Sequence, residues 1–234
     1  MINPEYVNPN TYFKENYENL RIKFDTAENI EQNYSQSLQD IFVLSVLDGK
    51  RNGTYLEIGG ADGIGINNTY LLESQYDWTG IAFEWLEPGW NSYVSKRKNP
   101  CLCEDATKAD YSKILKEYNF PKQIDFLQVD IEPAQQTLDS LKALPHNDYR
   151  FSVICFETAI YIGQDPHVQQ EQIDLLESLG YVLIAKNVSN VGNDPFEDWW
   201  VDPTAVDMDR LIPYIEGGFT GSREKRCLEV IYKG

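Results

Sequence analysis

The sequence predicts an α/β protein: an open, doubly wound, mostly parallel sheet of about seven strands with helices on both faces and the last strand antiparallel. Three observations predict it. Short apolar runs alternate with amphipathic helical patterns over about 130 residues, as in chains that wind a parallel sheet. The runs Ile124-Asp125-Phe126-Leu127-Gln128-Val129 and Phe151-Ser152-Val153-Ile154-Cys155-Phe156 are β-branched or aromatic and largely apolar on both faces, which suits strands covered from both sides. After Lys186 the alternation stops, and a turn-rich stretch, Asn187-Asn193, leads into the aromatic run Phe196-Trp200, read as a hairpin into an antiparallel strand.

In chain order, residues 1–34 show weak periodicity and are read as an N-terminal extension. Leu38, Ile41, Phe42, Ser45 and Val46 share one helical face, and Asp48-Gly49 closes that helix. Strands are expected at Thr54-Ile58, Thr79-Glu84, Pro100-Cys103, Ile124-Asp130, Phe151-Glu157 and Tyr181-Lys186. Helices between them are expected at Asn68-Gln75, Pro88-Lys96, Tyr111-Tyr118, Ala134-Leu144 and Val168-Leu179. The folded domain so defined spans residues 35–203. Residues 204–234 form a C-terminal extension packed on it. The two extensions are expected either to cover the crevice of the domain or to make a homodimer contact. There is no internal repeat and no linker of biased composition.

With 234 residues, the chain is long enough to bury a core without disulfides or a structural metal. It carries 20 Lys+Arg against 37 Asp+Glu, a formal net charge of -17. That charge argues against nucleic acid as a partner, because such binding draws its affinity from cations that displace phosphate counterions. Its 42% apolar and 13% aromatic residues exclude disorder. No run of about 18 apolar residues exists, so no membrane insertion is expected, and the polar N-terminus lacks the pattern of a secretory leader, so the expected location is cytoplasmic. Cys101, Cys103, Cys155 and Cys227 lack disulfide or zinc spacing and are expected to be free, buried thiols.

In open α/β sheets ligands bind beyond the carboxyl ends of the strands. The first strand runs into Glu57-Ile58-Gly59-Gly60-Ala61-Asp62-Gly63, an E-x-G-x-x-D-G turn. The dinucleotide pattern G-x-G-x-x-G counted from Gly59 would need glycine at Ala61 and Ile64. Two carboxylates in such a turn repel a pyrophosphate and suit a ligand with cationic groups, as S-adenosylmethionine is. Glu84 closes the second strand 25 positions after Gly59, near the spacing of about 20 at which a carboxylate meets ribose hydroxyls in dinucleotide sites. Glu104 and Asp105 follow the third strand, and Asp105 is the candidate for an adenine amino group. Asp130, Glu132 and Glu157 end the fourth and fifth strands. Charges at the ends of buried strands are costly, so their convergence marks a polar crevice. The alternative for Glu132 is helix N-capping.

These motifs resemble the FkbM family of class I methyltransferases. The likeness runs from Ser35-Gln36-Ser37-Leu38-Gln39-Asp40 through the Glu57-Gly63 turn, Asn68-Thr69, Trp78-Thr79-Gly80, Glu84, Ile124-Asp125-Phe126-Leu127-Gln128-Val129-Asp130-Ile131-Glu132 and Leu175-Leu176-Glu177-Ser178-Leu179-Gly180-Tyr181, about residues 35–200. Two departures stand out: Pro133 replaces a glycine, and Glu84-Trp85-Leu86-Glu87-Pro88 replaces Glu-Pro-Asn-Pro.

The resemblance implies an S-adenosylmethionine-dependent O-methyltransferase acting on a sugar or glycan-type hydroxyl, with a small-molecule or carbohydrate acceptor as partner. Expected cofactor contacts are Glu57, Gly59, Gly60, Asp62, Gly63, Asn68, Glu84, Asp105 and Asp130. The catalytic candidates are Asp130 first, then Glu132, Glu157 and His167, whose imidazole has a better matched pKa but which, alone at a helix start, is more often a cap or surface group. Three carboxylates and a histidine also suit a divalent cation such as Mg²⁺, but no clear metal spacing is present. Tyr161, Phe196, Trp199 and Trp200 are either a sugar-stacking platform or core under the last strand. Asn193-Asp194-Pro195-Phe196 approximates an amino-methyltransferase motif, but after the wrong strand. Rival readings are a non-sugar or peptide acceptor, a non-catalytic cofactor-binding module, and an NAD-dependent oxidoreductase, the last disfavoured by the missing glycines.

Overall fold

A computed structural model describes residues 14–160, 166–190, 195–221 and 225–234. Its centre is one eight-stranded sheet in the order β3-β2-β1-β4-β5-β7-β6-β8. The strands are β1 (Thr54–Ile58), β2 (Thr79–Phe83), β3 (Cys101–Leu102), β4 (Gln123–Val129), β5 (Arg150–Glu157), β6 (Val182–Ser189), β7 (Pro195–Val201) and β8 (Lys225–Arg226). Strand β7 alone runs against the rest, antiparallel to β5 and to β6, while β8 adds to β6 in parallel. The sheet is therefore the mostly parallel, doubly wound one anticipated, with the antiparallel strand seventh and a two-residue strand beyond it.

Helix α1 (Gln39–Val46) precedes β1; α2 (Tyr70–Tyr76), α3 (Glu87–Lys96), α4 (Tyr111–Glu117), α5 (Ala134–Ala143) and α6 (Pro166–Ser178) fill the connections; α7 (Ile212–Ile215) and α8 (Cys227–Ile231) flank β8. Side chains alternate across the sheet. Leu56, Ile58, Leu127, Val129, Ile154, Phe156 and Trp200 point to the face covered by α4, α5 and α6. Tyr55, Phe126, Val153, Cys155, Trp199 and Val201 point to the face covered by α1 and both end segments. Phe42 of α1 stacks on Trp199 with ring centroids 4.5 Å apart.

Two expectations are corrected and one open alternative is decided. Helix α1 is buried on every side rather than one, because residues 20–30 and α7–α8 close over it. Phe196, Trp199 and Trp200 are buried in the core, so they offer no face to a sugar; Tyr161 lies outside the described residues, as does most of Asn187-Asn193 beyond β6. The four cysteines are free, but Cys103 is exposed where the edge strand β3 ends.

The end segments clasp each other. Leu20 bridges Tyr232, and the Arg21 guanidinium donates to the carbonyls of Val230 (3.1 Å), Glu229 (3.0 Å) and Tyr232 (2.9 Å), the carboxyl-end carbonyls of α8. Arg210 donates to the carbonyl of Ser45 at 2.7 Å and also reaches that of Lys23. Among the described residues no helix is long and apolar enough to cross a membrane.

Candidate functional site

The carboxyl ends of β1, β2, β4 and β5 open on one side, and backbone bonds set their spacing. The amides of Gly59 and Gly60 both donate to Phe83 O at 3.0 Å, Asp130 N donates to Ile58 O at 2.9 Å, and Glu84 N donates to Leu102 O at 3.0 Å. Gly59 sits at φ +98, and a Cβ there would lie 1.9 Å from Asp130 O, so only glycine lets β1 leave the sheet this close to β4.

The turn after β1 is built by its own polar groups. Asp62 accepts from the amides of Ile64 (2.8 Å) and Gly65 (2.7 Å) and pairs with Lys96 at 3.2 Å. Burial opposes its ionisation, but those amides and Lys96 hold its carboxyl below the usual range. Glu84 spends one oxygen on Ala61 N (2.9 Å) and the other on Leu86 N (2.8 Å), so the second strand end is tied to the first turn. Each oxygen keeps a lone pair for a ligand. Beside it Trp85 and Leu86 are 65% and 64% exposed, an apolar lip around a carboxylate.

Behind the turn lies a residue that sequence inspection passes over. Arg97, just after α3, has a fully buried side chain and fills all five of its donor positions. Nε donates to Glu73 (2.8 Å), Nη1 to Gly63 O (2.9 Å) and Asn67 Oδ1 (2.8 Å), and Nη2 to Tyr55 OH (2.9 Å) and Thr69 Oγ1 (3.0 Å). Thr69 in turn donates to Glu57 Oε2 at 2.9 Å, and Asn67 Nδ2 donates to Gly60 O at 3.1 Å. Burial works against the guanidinium charge, yet Tyr55, Tyr93, Glu57 and Glu73 hold it above its ordinary value. Burial also pushes Glu57 up to about 7 against the pull of Arg97.

Glu57 Oε1 and Asn68 Oδ1 are buried and accept no hydrogen bond. Both are acceptors at the base of the turn, and they fit a ligand that brings donors, such as the ammonium of S-adenosylmethionine. Asp105 is engaged within its own turn. It accepts from Thr107 N (3.0 Å), Thr107 Oγ1 (2.6 Å) and Lys108 (2.5 Å), and Lys108 takes its carboxyl down to about 2. Glu104 is exposed.

Further along, Asp130 is half-buried, Glu132 exposed and Glu157 buried, while β7 adds Glu197, which the sequence reading missed. Glu157 and Glu197 are register partners on β5 and β7. Burial, then the charges of Asp130, Glu132 and Glu197, push Glu157 up to about 11. Burial pushes Glu197 up to about 8 although Gln128 (3.0 Å) and Trp199 (2.6 Å) donate to it. Strand period gives the signal that could have found Glu197, since it stands two residues from Trp199 on the same face. His167 lies exposed in the first turn of α6, off the strand ends. Among the described residues no group of three or more His, Cys, Asp or Glu has metal-holding geometry.

These carboxyls set a pH dependence. Glu57, Glu197 and Glu157 bind their protons more tightly folded than unfolded, so the stability they contribute is complete below the ordinary carboxylate value of 4.5 and is lost as pH rises through about 7, 8 and 11. Buried His146, held below its ordinary value, opposes this only where unfolded histidine titrates, below about pH 6.5. The thermal midpoint is expected to fall by about 5 °C or more between pH 5 and pH 9, with Glu197→Gln flattening the slope. A midpoint rising steadily over that range in differential scanning calorimetry contradicts the assignment.

No protein-family model matches the chain, and no curated protein matches it either. Similar solved structures include a putative rRNA-methylase from Clostridium thermocellum, 9% identical, with a TM-score of 0.49 over 74% of this chain and 97% of that one. An rRNA methylase from Streptococcus thermophilus is 8% identical, with a TM-score of 0.48 over 70% and 94%. Fibrillarin from Aeropyrum pernix, solved with natively bound S-adenosyl-L-methionine, is 16% identical, with a TM-score of 0.44 over 65% and 67%.

Proposed function

We propose that this chain is an S-adenosylmethionine-dependent methyltransferase whose acceptor is a sugar or glycan-type molecule methylated on a hydroxyl. The observation that carries it is the arrangement of Glu84, the Gly59-Gly63 turn and Asp130 at the ends of β2, β1 and β4. Glu84 keeps a lone pair on each oxygen while loop amides hold it in place. Orphaned acceptors lie at the base of the same turn. The hydroxyl specificity comes from the resemblance of the strand-end motifs.

When bound, the cofactor supplies an electrophilic methyl group for in-line transfer to an oxygen held about 3 to 3.5 Å away. The chain's own groups do the rest. Glu84 accepts from paired ribose hydroxyls, and Trp85 and Leu86 cover that edge from water. Asp130 faces the acceptor oxygen and takes its proton. Glu157, neutral because of burial and the carboxylates around it, donates a hydrogen bond where Asp130 accepts one.

Calorimetric titration with S-adenosylmethionine and S-adenosylhomocysteine tests this directly, with one-to-one binding expected. Glu84→Ala is expected to weaken S-adenosylhomocysteine by about 10- to 100-fold, the loss of charge-assisted bonds, with the fold intact by circular dichroism. A folded protein that binds neither ligand at millimolar concentration overturns the proposal.

A further inference from the structure

The sheet face under α1 carries a second polar layer one strand over from the turn. Gln128 on β4 stands in register between Glu57 on β1 and Cys155 on β5. Its Nε2 reaches past β5 to Glu197 on β7, which draws the amide away from the Glu57 side. The other end of that amide, Oε1, is fully buried and accepts nothing, and neither does Glu157 Oε2. Asp130, Glu157 and Glu197 lie at consecutive strand ends around these two atoms. Among the described residues, no lysine or arginine pairs with Asp130, Glu132, Glu157 or Glu197.

Like charges opposed across a strand pair destabilise a sheet. Protonation of Glu157, which shares a hydrogen bond with Asp130, relieves that repulsion in part, yet among the described residues these carboxyls have no lysine or arginine paired to them and two buried acceptor atoms beside them are unfilled. The turn's orphaned acceptors are Glu57 Oε1 and Asn68 Oδ1, and Glu57 is the register neighbour of Gln128 on the side away from Glu197. Gln39 is hydrogen-bonded to Glu197, and Ser37 N fixes its Oε1 at 2.6 Å. An inorganic ion is the poorer occupant. Among the described residues no group of three or more His, Cys, Asp or Glu has metal-holding geometry. A tetrahedral ammonium spreads three donors toward such acceptors.

The geometry points to a cation site formed by Asp130, Glu157, Glu197 and the Gln128 amide oxygen, which takes the protonated amine of a hydroxyl-bearing acceptor. The identity of this occupant as the methyl acceptor rests on the methyltransferase reading. Gln128, held by Glu197, thereby becomes a specificity-determining residue: a neutral polyol leaves Gln128 Oε1 and Glu157 Oε2 unfilled, and an amino-substituted one fills them.

The test uses the full chain with n-butylammonium chloride, n-butanol and magnesium chloride as probes at constant ionic strength. Thermal midpoints and calorimetry in two buffers of different ionisation heat are the readouts. Stabilisation by n-butylammonium, with proton release as Glu157 and Glu197 ionise, and none by n-butanol, is expected. Glu197→Gln is expected to weaken the amine at least tenfold while S-adenosylhomocysteine affinity stays within threefold; Glu157→Gln is the second variant should that one fail to fold. Response to magnesium but not to the amine overturns the site as drawn, and so does response to neither probe. If the amine binds and S-adenosylhomocysteine does not, the methyltransferase reading fails and the cation site stands. The converse result fails the site and spares the reading.

Discussion

Arg97→Met is expected to lower the unfolding free energy by about 3 to 5 kcal/mol, the cost of leaving one member of a buried ionic network without its partner. The side chain is completely enclosed and its five donors go to five different groups. Methionine fills much of the volume but strands Glu73, whose carboxyl Arg97 and the Lys98 amide hold below the usual range against the push of burial. It also frees Asn67 and the Gly63 carbonyl, so the turn that carries Gly60 loses its backing. Arg97→Lys is expected to recover only part, because a compact ammonium cannot reach the same five acceptors. Urea denaturation followed by circular dichroism measures both, and a loss below about 1 kcal/mol for Arg97→Met would show that water replaces the guanidinium without difficulty.

Asp130→Asn is expected to reduce kcat for methyl transfer by about 100- to 10,000-fold, the usual contribution of a positioned proton acceptor. The amide keeps the volume and one acceptor oxygen but cannot take a proton at neutral pH. The same residue is a candidate cofactor contact, and the two roles separate experimentally. As the base, Asp130→Asn leaves S-adenosylhomocysteine affinity within about threefold while kcat collapses. As a cofactor ligand, it lowers affinity and rate together. Undiminished kcat removes Asp130 from the chemistry.

The parallel half of this protein is readable in its sequence for a physical reason. β1, β2, β4 and β5 are covered on both faces, so their runs are apolar throughout, and a short apolar run bounded by Gly or Asp has few other fates. β1 spans Thr54–Ile58 as read. β3 shrinks to two residues because an edge strand has only one neighbour to hold it. β6 reaches three residues past Lys186 because irregular pairing with β7 lets it bend and continue. The very short elements β8, α7 and α8 leave no period to detect.

The site divides the same way. Glu57, Glu84, Asp130 and Glu157 are legible because strand ends are the one place where position along the chain fixes position in the crevice. Arg97 is not, because Lys96-Arg97-Lys98 looks like a solvated basic run. Its burial depends on Glu73, Asn67 and Tyr55 arriving from three other segments. Glu197 hides among aromatic residues whose own burial was an open question. Asp105 is legible as a carboxylate beside β3, but its bonds to Thr107 and Lys108 belong to a local turn.

The clasp of the end segments governs how the molecule is made. Arg21 meets Val230 across 209 residues of chain, a loop whose closure costs about 5 kcal/mol of chain entropy. Parallel pairings already make β1, β4 and β5 wait for distant partners, and such topologies fold slowly. Until residues near 230 return to residue 20, the face bearing Phe42 and Trp199 stays wet and adhesive. The interval before closure is when two copies of the chain are most apt to stick together, so the clasp protects the folding chain as much as it stabilises the finished one.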